Sequence, residues 1–309
     1  MPQRGIDGGK DITEHKRHPG TAGRIGVFDS GVGGLSILRA LSQKLSNESF
    51  LYVADGIHCP YGVRPAQEIR RLTEAICRYL VQQNVKLIVV ACNTASAAAL
   101  SHLRSAFPEL PFVGMVPAVK PAAQITETGV VGVLATASTF QGQLYKDVVR
   151  CHAQGTQIMA QVCDGLVECV EDGALDTPYT RSLLRNYIHP LLEAGADTLV
   201  MGCTHYAFLI PTIRQLIGEE ITLLEPSGAI ARRTAQILKT ENTAKEEAAG
   251  KITFTTTGDP SRFYRIIKRL LPEASPPRPL RWVDGHIQDD IHWPKVLKNI
   301  PIADDNRAG

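Results

Sequence analysis

The sequence lacks any apolar run close to the roughly 18 residues that a membrane helix requires. It also lacks an apolar segment near its start, where the first 23 residues contain charges and glycines, so we expect a flexible leader and no secretory signal. A strong charge of either sign is missing too, because the formal net charge is only +2. This balance argues against nucleic acid and against an anionic membrane surface as partners.

The cysteines do not form a pattern typical of disulfide frameworks or zinc sites. There are seven, an odd number, and no two are arranged as Cys-x-x-Cys. We therefore expect reduced thiols, a cytoplasmic location and no metal, since Cys163 and Cys169 have no further ligands nearby in the sequence. The hydrophobic fraction of 44% and the charged fraction of 21% are typical of a globular protein with a large core.

Short apolar runs alternate with longer amphipathic segments along the chain. Between Pro65 and Gln83 the apolar residues recur at helical spacing, and Pro65 suits the first turn of that helix. This alternation predicts an α/β fold with parallel sheets that are covered by helices on both faces. The predicted strands are Arg24–Asp29, Phe50–Ala54, Lys86–Ala91, Phe112–Met115, Val130–Ala135, Gln157–Val162, Thr198–Met201, Ile221–Leu224 and Ile252–Thr256.

Two predicted strands resemble two others further along the chain. The segment from Ile25 resembles the segment from Val131, and the segment from Leu87 resembles the one from Thr198. The separations are similar, 106 and 111 residues. Buried strands resemble one another by chance, but here a serine or threonine follows the first pair of strands and a cysteine follows the second. We therefore predict two pseudo-symmetric α/β units with a ligand site between them.

Polar side chains follow most of these strands, at the end where parallel sheets bind ligands. Helix capping is the alternative for each serine, threonine, aspartate or asparagine, but it does not explain a cysteine at two equivalent places. The glycine-rich turn that begins at Asp29 fits neither common phosphate-loop pattern, and a carboxylate would suit it equally well. The side chains that we expect to share one cleft are Asp29, Ser30, Asp55, Cys92, Asn93, Thr94, Thr136, Thr139, Cys203, Thr204 and His205.

Two facing thiols have three possible uses. A stable disulfide is disfavoured in a reducing compartment, and covalent catalysis needs a base and only one thiol. Proton transfer on opposite faces of one carbon uses both, because one thiolate removes a proton and the other thiol returns one, which inverts a stereocentre. A helix N-terminus lowers the pKa of a thiol, so we expect Cys92 and Cys203 to ionise readily, with Asp29 and His205 assisting.

At this point the motifs resemble those of a known family. The segments DSGVGG, PYG, ACNTAS, GCTHY and TTTGDP, spread between about residues 24 and 284, resemble glutamate racemases of the cofactor-independent aspartate/glutamate racemase superfamily. The resemblance implies interconversion of L- and D-glutamate without cofactor or metal, supplying D-glutamate for peptidoglycan. It also implies that Cys92 deprotonates the D-isomer and Cys203 the L-isomer. A homodimer is a further expectation.

The resemblance also assigns roles residue by residue. Asp29 and Ser30 would contact the substrate ammonium, with Asp29 also tuning the first thiol, and His205 would relay a proton beside the second thiol with support from Glu171. The match at Glu171 is looser, and a solvated carboxylate at a helix end is its alternative. The remaining substrate contacts implied are Tyr61, Gly62, Asn93, Thr94, Thr136, Thr139 and Thr204.

Two departures from the family pattern leave alternatives open. Ala207 replaces the usual proline after Thr-His-Tyr, and Asp55-Gly-Ile-His58 replaces the usual Asp-Thr-Ala-Arg. We interpret His58 and Cys59 as local packing, and Lys120 as a surface or hinge residue, with no pyridoxal site. Aspartate or another small amino acid could be the substrate instead, and a binding protein without catalysis is the alternative from another class.

The domain prediction combines the repeat with the resemblance. The first domain is expected to be discontinuous, formed by residues 24–116 and 225–285, and the second to comprise residues 117–224. Residues 1–23 are the predicted leader and residues 286–309 the predicted tail.

Overall fold

The computed structural model describes residues 23–245 and 249–291, and most of this part is organised into strands and helices. The predicted α/β class with parallel sheets is confirmed. The strands are β1 (Arg24–Asp29), β2 (Phe50–Ala54), β3 (Val85–Val90), β4 (Phe112–Val113), β5 (Val130–Ala135), β6 (Gln157–Val162), β7 (Thr198–Met201), β8 (Thr222–Leu224), β9 (Ile252–Thr256), β10 (Arg278–Val283) and β11 (His286–Asp289).

Helices follow most strands, as the amphipathic segments predict. In α2 the apolar positions face inward while Arg70, Arg71 and Arg78 are exposed. Pro65 is the N-cap in extended geometry and not, as predicted, within the first turn. The helices are α1 (Leu35–Lys44), α2 (Ala66–Gln82), α3 (Asn93–Ala106), α4 (Val119–Ile125), α5 (Ala137–Gln141), α6 (Gln143–His152), α7 (Leu166–Glu171), α8 (Pro178–Glu193), α9 (Ile210–Ile217), α10 (Ser227–Thr240) and α11 (Pro260–Leu270). None of them is long and apolar enough to cross a bilayer.

The strands form two sheets. The larger has the order β11-β10-β9-β2-β1-β3-β4, and only β11 runs antiparallel to its neighbour. The smaller has the order β6-β5-β7-β8 and is parallel throughout. The segments that resemble each other in sequence hold equivalent positions, because β1 pairs with β2 and β3 just as β5 pairs with β6 and β7.

Two C-terminal strands were not predicted. Residues 286–289, which the sequence analysis placed in the tail, form β11 and pair with β10. Both lie at the edge of the larger sheet, where only Leu280 and Ile287 are buried. Such edge strands carry too few apolar residues for a clear period-two signal. The predicted leader up to residue 22 and the predicted tail beyond residue 291 lie outside the described residues.

One apolar cluster joins the two sheets. It contains Leu35 and Leu38 of α1 together with Leu199 of β7 and Leu209, all almost completely buried. Burial of a leucine side chain stabilises a fold by about 1.5–3 kcal/mol. This shared core holds the carboxyl ends of β1 and β7 close to each other, and the polar residues that follow these strands meet there.

Candidate active site

Cys92 and Cys203 occupy equivalent places in the two sheets. Cys92 directly precedes α3 as its N-cap, and its Sγ accepts a hydrogen bond from Ala95 N at 3.4 Å. Cys203 precedes a 3-10 helix, Thr204–Leu209, so the α-helix expected there begins only at Ile210. Both thiols are buried, with 5% and 7% of their surface exposed.

The expected low pKa of Cys92 is wrong. Burial raises the pKa of this thiol most strongly, and the nearby carboxylate of Asp29 raises it further. The hydrogen bond from Ala95 N acts in the opposite direction but is weaker. Desolvation therefore outweighs the helix terminus, and Cys92 needs a cation nearby before it can ionise.

Asp29 connects the two sheets at the centre of the site. It is completely buried, and its Oδ1 accepts a hydrogen bond from Gly31 N at 2.7 Å. Its Oδ2 accepts one from Thr204 Oγ1 at 3.1 Å, across the two layers. Burial raises the pKa of Asp29, although His205 opposes the shift. Ser30, the next residue, is also buried, as expected for a site residue.

His205 lies between Cys203 and Glu171. Its Nδ1 is 3.8 Å from Cys203 Sγ, and its Nε2 is 2.7 Å from Glu171 Oε1. Burial alone would lower the pKa of His205, but hydrogen bonds with Cys203, Cys59 and Glu171 outweigh it and raise this pKa well above its usual value. The ring is thus arranged to exchange a proton with the second thiol while the carboxylate stabilises its cationic form.

Glu171 is not the solvated helix-end carboxylate that the sequence left as an alternative. It ends α7, and its side chain is only 18% exposed. Its Oε1 also accepts a hydrogen bond from Val32 N at 2.7 Å. Burial would raise the pKa of Glu171, but hydrogen bonding to His205 prevails and lowers it. The pair therefore has the charges expected of a carboxylate and an imidazolium.

Three threonine hydroxyls meet where the two layers come together. Thr94 Oγ1 lies 2.9 Å from Thr136 Oγ1 and 3.4 Å from Thr139 Oγ1, and the last two are 3.0 Å apart. Thr94 belongs to α3 of the first layer, whereas Thr136 caps α5 of the second. The cluster therefore joins the layers with groups that can donate hydrogen bonds to a carboxylate.

Asn93 carries the clearest sign of a ligand. Its side chain is 3% exposed, yet neither its amide oxygen nor its amide nitrogen has a hydrogen-bond partner among the described residues. An unsatisfied buried polar group costs about 1–3 kcal/mol, which folding does not recover here. A small polar molecule beside Cys92 would supply the missing partner.

Tyr61 and Gly62 occupy different surroundings. Tyr61 is buried and its hydroxyl donates to Asp55 Oδ2 at 2.6 Å, so this side chain supports the loop. Gly62 packs against Thr136, where a Cβ would lie 2.9 Å from the threonine side chain. Substrate contact by Tyr61 or Gly62 stays a prediction.

The segment Asp55–His58, which departs from the family pattern, takes part in a local hydrogen-bond network centred on Asp55. Asp55 also accepts hydrogen bonds from Thr257 and from Trp282 Nε1, at 2.7 and 2.9 Å, and His58 Nδ1 lies 3.0 Å from its Oδ2. The ring of His58 also meets Trp282 edge to face at 5.0 Å. His58 therefore serves local packing, as interpreted from the sequence.

Cys59 is the site residue that the sequence analysis missed. Its Sγ is 3.5 Å from Glu171 Oε1, so it takes part in the Glu171–His205 pair and not merely in packing. The signal available was its position directly before Pro-Tyr-Gly. Lys120, by contrast, is exposed on α4, and Ala207 lies within the 3-10 helix.

The chain is similar in sequence to known proteins. The sequence model of the Asp/Glu/hydantoin racemase family matches residues 25–234. A glutamate racemase from Roseiflexus sp. is 51% identical over 248 residues, which are 80% of this chain and 91% of the relative. A glutamate racemase from Deinococcus radiodurans is 47% identical over 257 residues, which are 82% and 88% of the two chains.

Solved structures also resemble this fold. The RacE1 isoform of glutamate racemase from Bacillus anthracis has a TM-score of 0.76 at 31% identity, covering 85% of this chain and 98% of that one. The Escherichia coli glutamate racemase, in complex with L-glutamate and the activator UDP-MurNAc-ala, has a TM-score of 0.72 at 32% identity, covering 80% and 94%.

Proposed function

This chain belongs to the glutamate racemases, within the Asp/Glu/hydantoin racemase family, and from that premise we propose that it interconverts L- and D-glutamate by proton transfer between Cα and two thiols, Cys92 and Cys203. The observation that carries the mechanism is the equivalent placement of these thiols at the ends of β3 and β7, each beside its own charged group. The product D-glutamate would supply peptidoglycan synthesis.

Each turnover breaks one C–H bond and forms another. One thiolate removes the Cα proton and becomes a thiol, and the resulting carbanion takes a proton from the opposite thiol, which becomes the thiolate. By resemblance, Cys92 receives the proton of the D-isomer and Cys203 that of the L-isomer. His205, 3.8 Å from Cys203 and supported by Glu171, would shuttle the proton on that side.

The substrate itself would make the first thiol ionise. Asp29 is the buried carboxylate at the centre of the site, and with Ser30 it would hold the substrate ammonium. That cation would offset the Asp29 charge and lower the pKa of Cys92, which burial holds high in its absence. Proton removal is thus coupled to binding.

The carboxylates of glutamate match the uncharged donors. Asn93 has an unsatisfied buried amide, and Thr94 follows it on α3. The hydroxyls of Thr136 and Thr139, on the other layer, lie 2.9 and 3.4 Å from that of Thr94. Thr204 completes the predicted contacts from beside Cys203. Donors fixed in a buried site stabilise the charge that develops at the carboxylate when Cα loses its proton, which is what a reaction without an electron-accepting cofactor requires.

Isotope exchange tests the two-thiol mechanism. Each enantiomer of glutamate is incubated with the enzyme in D₂O, without added cofactor, and the Cα isotope and the chirality are followed at early conversion. We expect the product to carry one deuteron while unreacted substrate keeps its proton, because each face of Cα meets a different thiol. Substrate-derived hydrogen in the product would indicate one base and contradict the proposal.

Substitution of each thiol is the second test. Cys92→Ser and Cys203→Ser should each lower kcat by about 10²- to 10⁴-fold in both directions, with circular dichroism checking the fold. Cys151→Ser, at an exposed thiol on α6, is the matched control and should racemise like the parent. Full activity in either active-site variant would refute the two-thiol mechanism. If the parent enzyme racemised aspartate but not glutamate, aspartate would be the substrate. If it bound glutamate without exchanging the Cα proton, the protein would be a non-catalytic binding protein.

Assembly and location belong to the same proposal. We place the enzyme in the cytoplasm, with free thiols and without nucleic acid or membrane as partners, and we expect a homodimer. The domain division into residues 24–116 with 225–285 and residues 117–224 is proposed from the two sheets, with closure of the layers over glutamate.

A further inference from the structure

A third thiol, that of Cys59, lies against the Glu171–His205 pair. Cys59 Sγ is 3.5 Å from Glu171 Oε1, and His205 Nε2 is 2.7 Å from the same oxygen. One ligand atom from each of Cys59, Glu171 and His205 falls within 4.8 Å of the other two. The two-thiol reaction has no use for Cys59.

The chemistry and spacing of these atoms suit one class of ligand. A thiolate, an imidazole and a carboxylate are the ligands that zinc prefers, at distances that place sulfur and oxygen about 3.6 Å apart in a tetrahedral site. The separation between Cys59 Sγ and Glu171 Oε1 is 3.5 Å. The His205–Glu171 pair, now hydrogen-bonded, would have to open by about 0.7 Å to reach tetrahedral spacing.

The surroundings provide space and access. A cavity of about 210 Å³ borders Cys59 and Glu171, and it is also lined by Gly31 and Arg262. The space beside Cys59 and Glu171 is open because residue 31 is glycine. A Cβ on Gly31 would lie 1.8 Å from Glu171 Oε1 and 2.9 Å from Cys59 Sγ. The charge of Arg262 is already paired with Asp172, which reduces its repulsion of a cation. The cavity leaves room for a fourth ligand.

We propose that Cys59, Glu171 and His205 form a binding site for Zn²⁺, and that the bound ion inhibits the enzyme. Binding releases the thiol proton of Cys59 and the proton shared by His205 and Glu171 to solvent. The metal then occupies His205 Nε2, so the ring can no longer relay a proton between Cys203, which faces Nδ1, and Glu171 or solvent. The inhibition rests on the proposed function, whereas the metal binding does not.

The first test is activity at controlled free Zn²⁺ on metal-free enzyme. We expect saturable inhibition with one ion per chain, and at least about a tenfold higher half-inhibiting concentration in Cys59→Ser, each variant being normalised to its own activity without metal. Cys151→Ser, which removes an exposed thiol, should be inhibited like the parent. Equal sensitivity of Cys59→Ser and the parent would overturn the proposal.

The second test reports on the ligands without turnover. Co²⁺ replaces zinc, and a thiolate ligand produces a charge-transfer absorption in the near ultraviolet. The band should appear in the parent, Cys92→Ser and Cys203→Ser, and vanish in Cys59→Ser. A band that survives in Cys59→Ser but disappears in Cys203→Ser would place the metal on the reacting thiols and refute the site. A Cys59-dependent band in a protein that does not racemise glutamate would leave the site standing and the proposed function refuted.

Discussion

At the level of single residues, Asn93 and Ser96 have opposite roles within one turn of α3. Both are buried, but Ser96 Oγ donates to Val90 O at 3.2 Å and accepts from Met115 N at 2.9 Å. Asn93 has no partner among the described residues for either side-chain atom. A polar group that is satisfied by the fold contributes to stability, whereas one that awaits a ligand reduces it.

Substitution should separate these roles. Asn93→Leu, which keeps the approximate volume, should raise the free energy of unfolding of the ligand-free protein by about 1–3 kcal/mol while raising KM for glutamate at least tenfold. Ser96→Ala, the matched control, should lower the free energy of unfolding. Urea unfolding and steady-state kinetics measure both quantities, and destabilisation by Asn93→Leu would contradict a ligand-directed amide.

At the level of elements, the turn between β1 and α1 contacts the 3-10 helix that follows Cys203. A Cβ on Gly33 would lie 2.3 Å from His205 Nδ1 and 2.5 Å from Thr204 Oγ1. Ser36 Oγ, on α1, also lies 3.4 Å from Thr204 O. The glycine therefore allows the close approach that places Asp29 and His205, which come from different sheets, in one site.

Gly33→Ala should push the 3-10 helix away from α1. We expect a loss of about 1–3 kcal/mol in the free energy of unfolding, typical of overpacking, and a fall in kcat of about 10²-fold as His205 leaves Cys203. Gly228→Ala, inside α10, is the matched control, because its Cβ would meet only Arg232 Nη1 at 3.4 Å and alanine favours a helix by about 1 kcal/mol. Unchanged kcat in Gly33→Ala would contradict this account.

At the level of the whole molecule, many thiols and phenols are buried in their neutral forms. Burial raises the pKa of Cys77 and Cys163, that of Tyr145 to about 12, and that of Tyr206 well above its usual value. In the unfolded chain the pKa is about 8.5 for cysteine and about 10 for tyrosine. The folded state therefore binds more protons than the unfolded state at alkaline pH.

Stability should consequently fall at high pH. Each group with a raised pKa contributes stability that is fully present below its pKa in the unfolded chain and is lost as the pH rises toward its pKa in the folded protein. The free energy of unfolding should therefore decline above about pH 8.5. Urea midpoints at about pH 7.5 and about pH 9.5, with reductant, measure it. Cys77→Ala should reduce the loss of stability between these two pH values by about 1.4 kcal/mol in total. Equal midpoints at the two pH values in the parent would contradict the prediction.

Much of this protein followed from local pattern alone. Short apolar runs predicted β1, β2, β5, β6, β7 and β9 at their observed bounds, because parallel strands are rich in apolar residues. The equivalence of Cys92 and Cys203 could also be predicted, because each follows one of two strands that are similar in sequence. The edge strands β10 and β11 were not, because they gain stability from pairing and bury little apolar surface.

Local sequence patterns were enough to predict the two α/β layers, the thiol pair and the polar groups at the strand ends. The contacts among these groups depend on three-dimensional packing: Asp29 with Thr204, Thr94 with Thr136 and Cys59 with Glu171 across the layers, and Glu171 with His205 within the second. This packing also reversed the expected pKa shift of Cys92. The effect of a helix terminus can be predicted from the neighbouring sequence, whereas desolvation depends on every atom packed around the thiol.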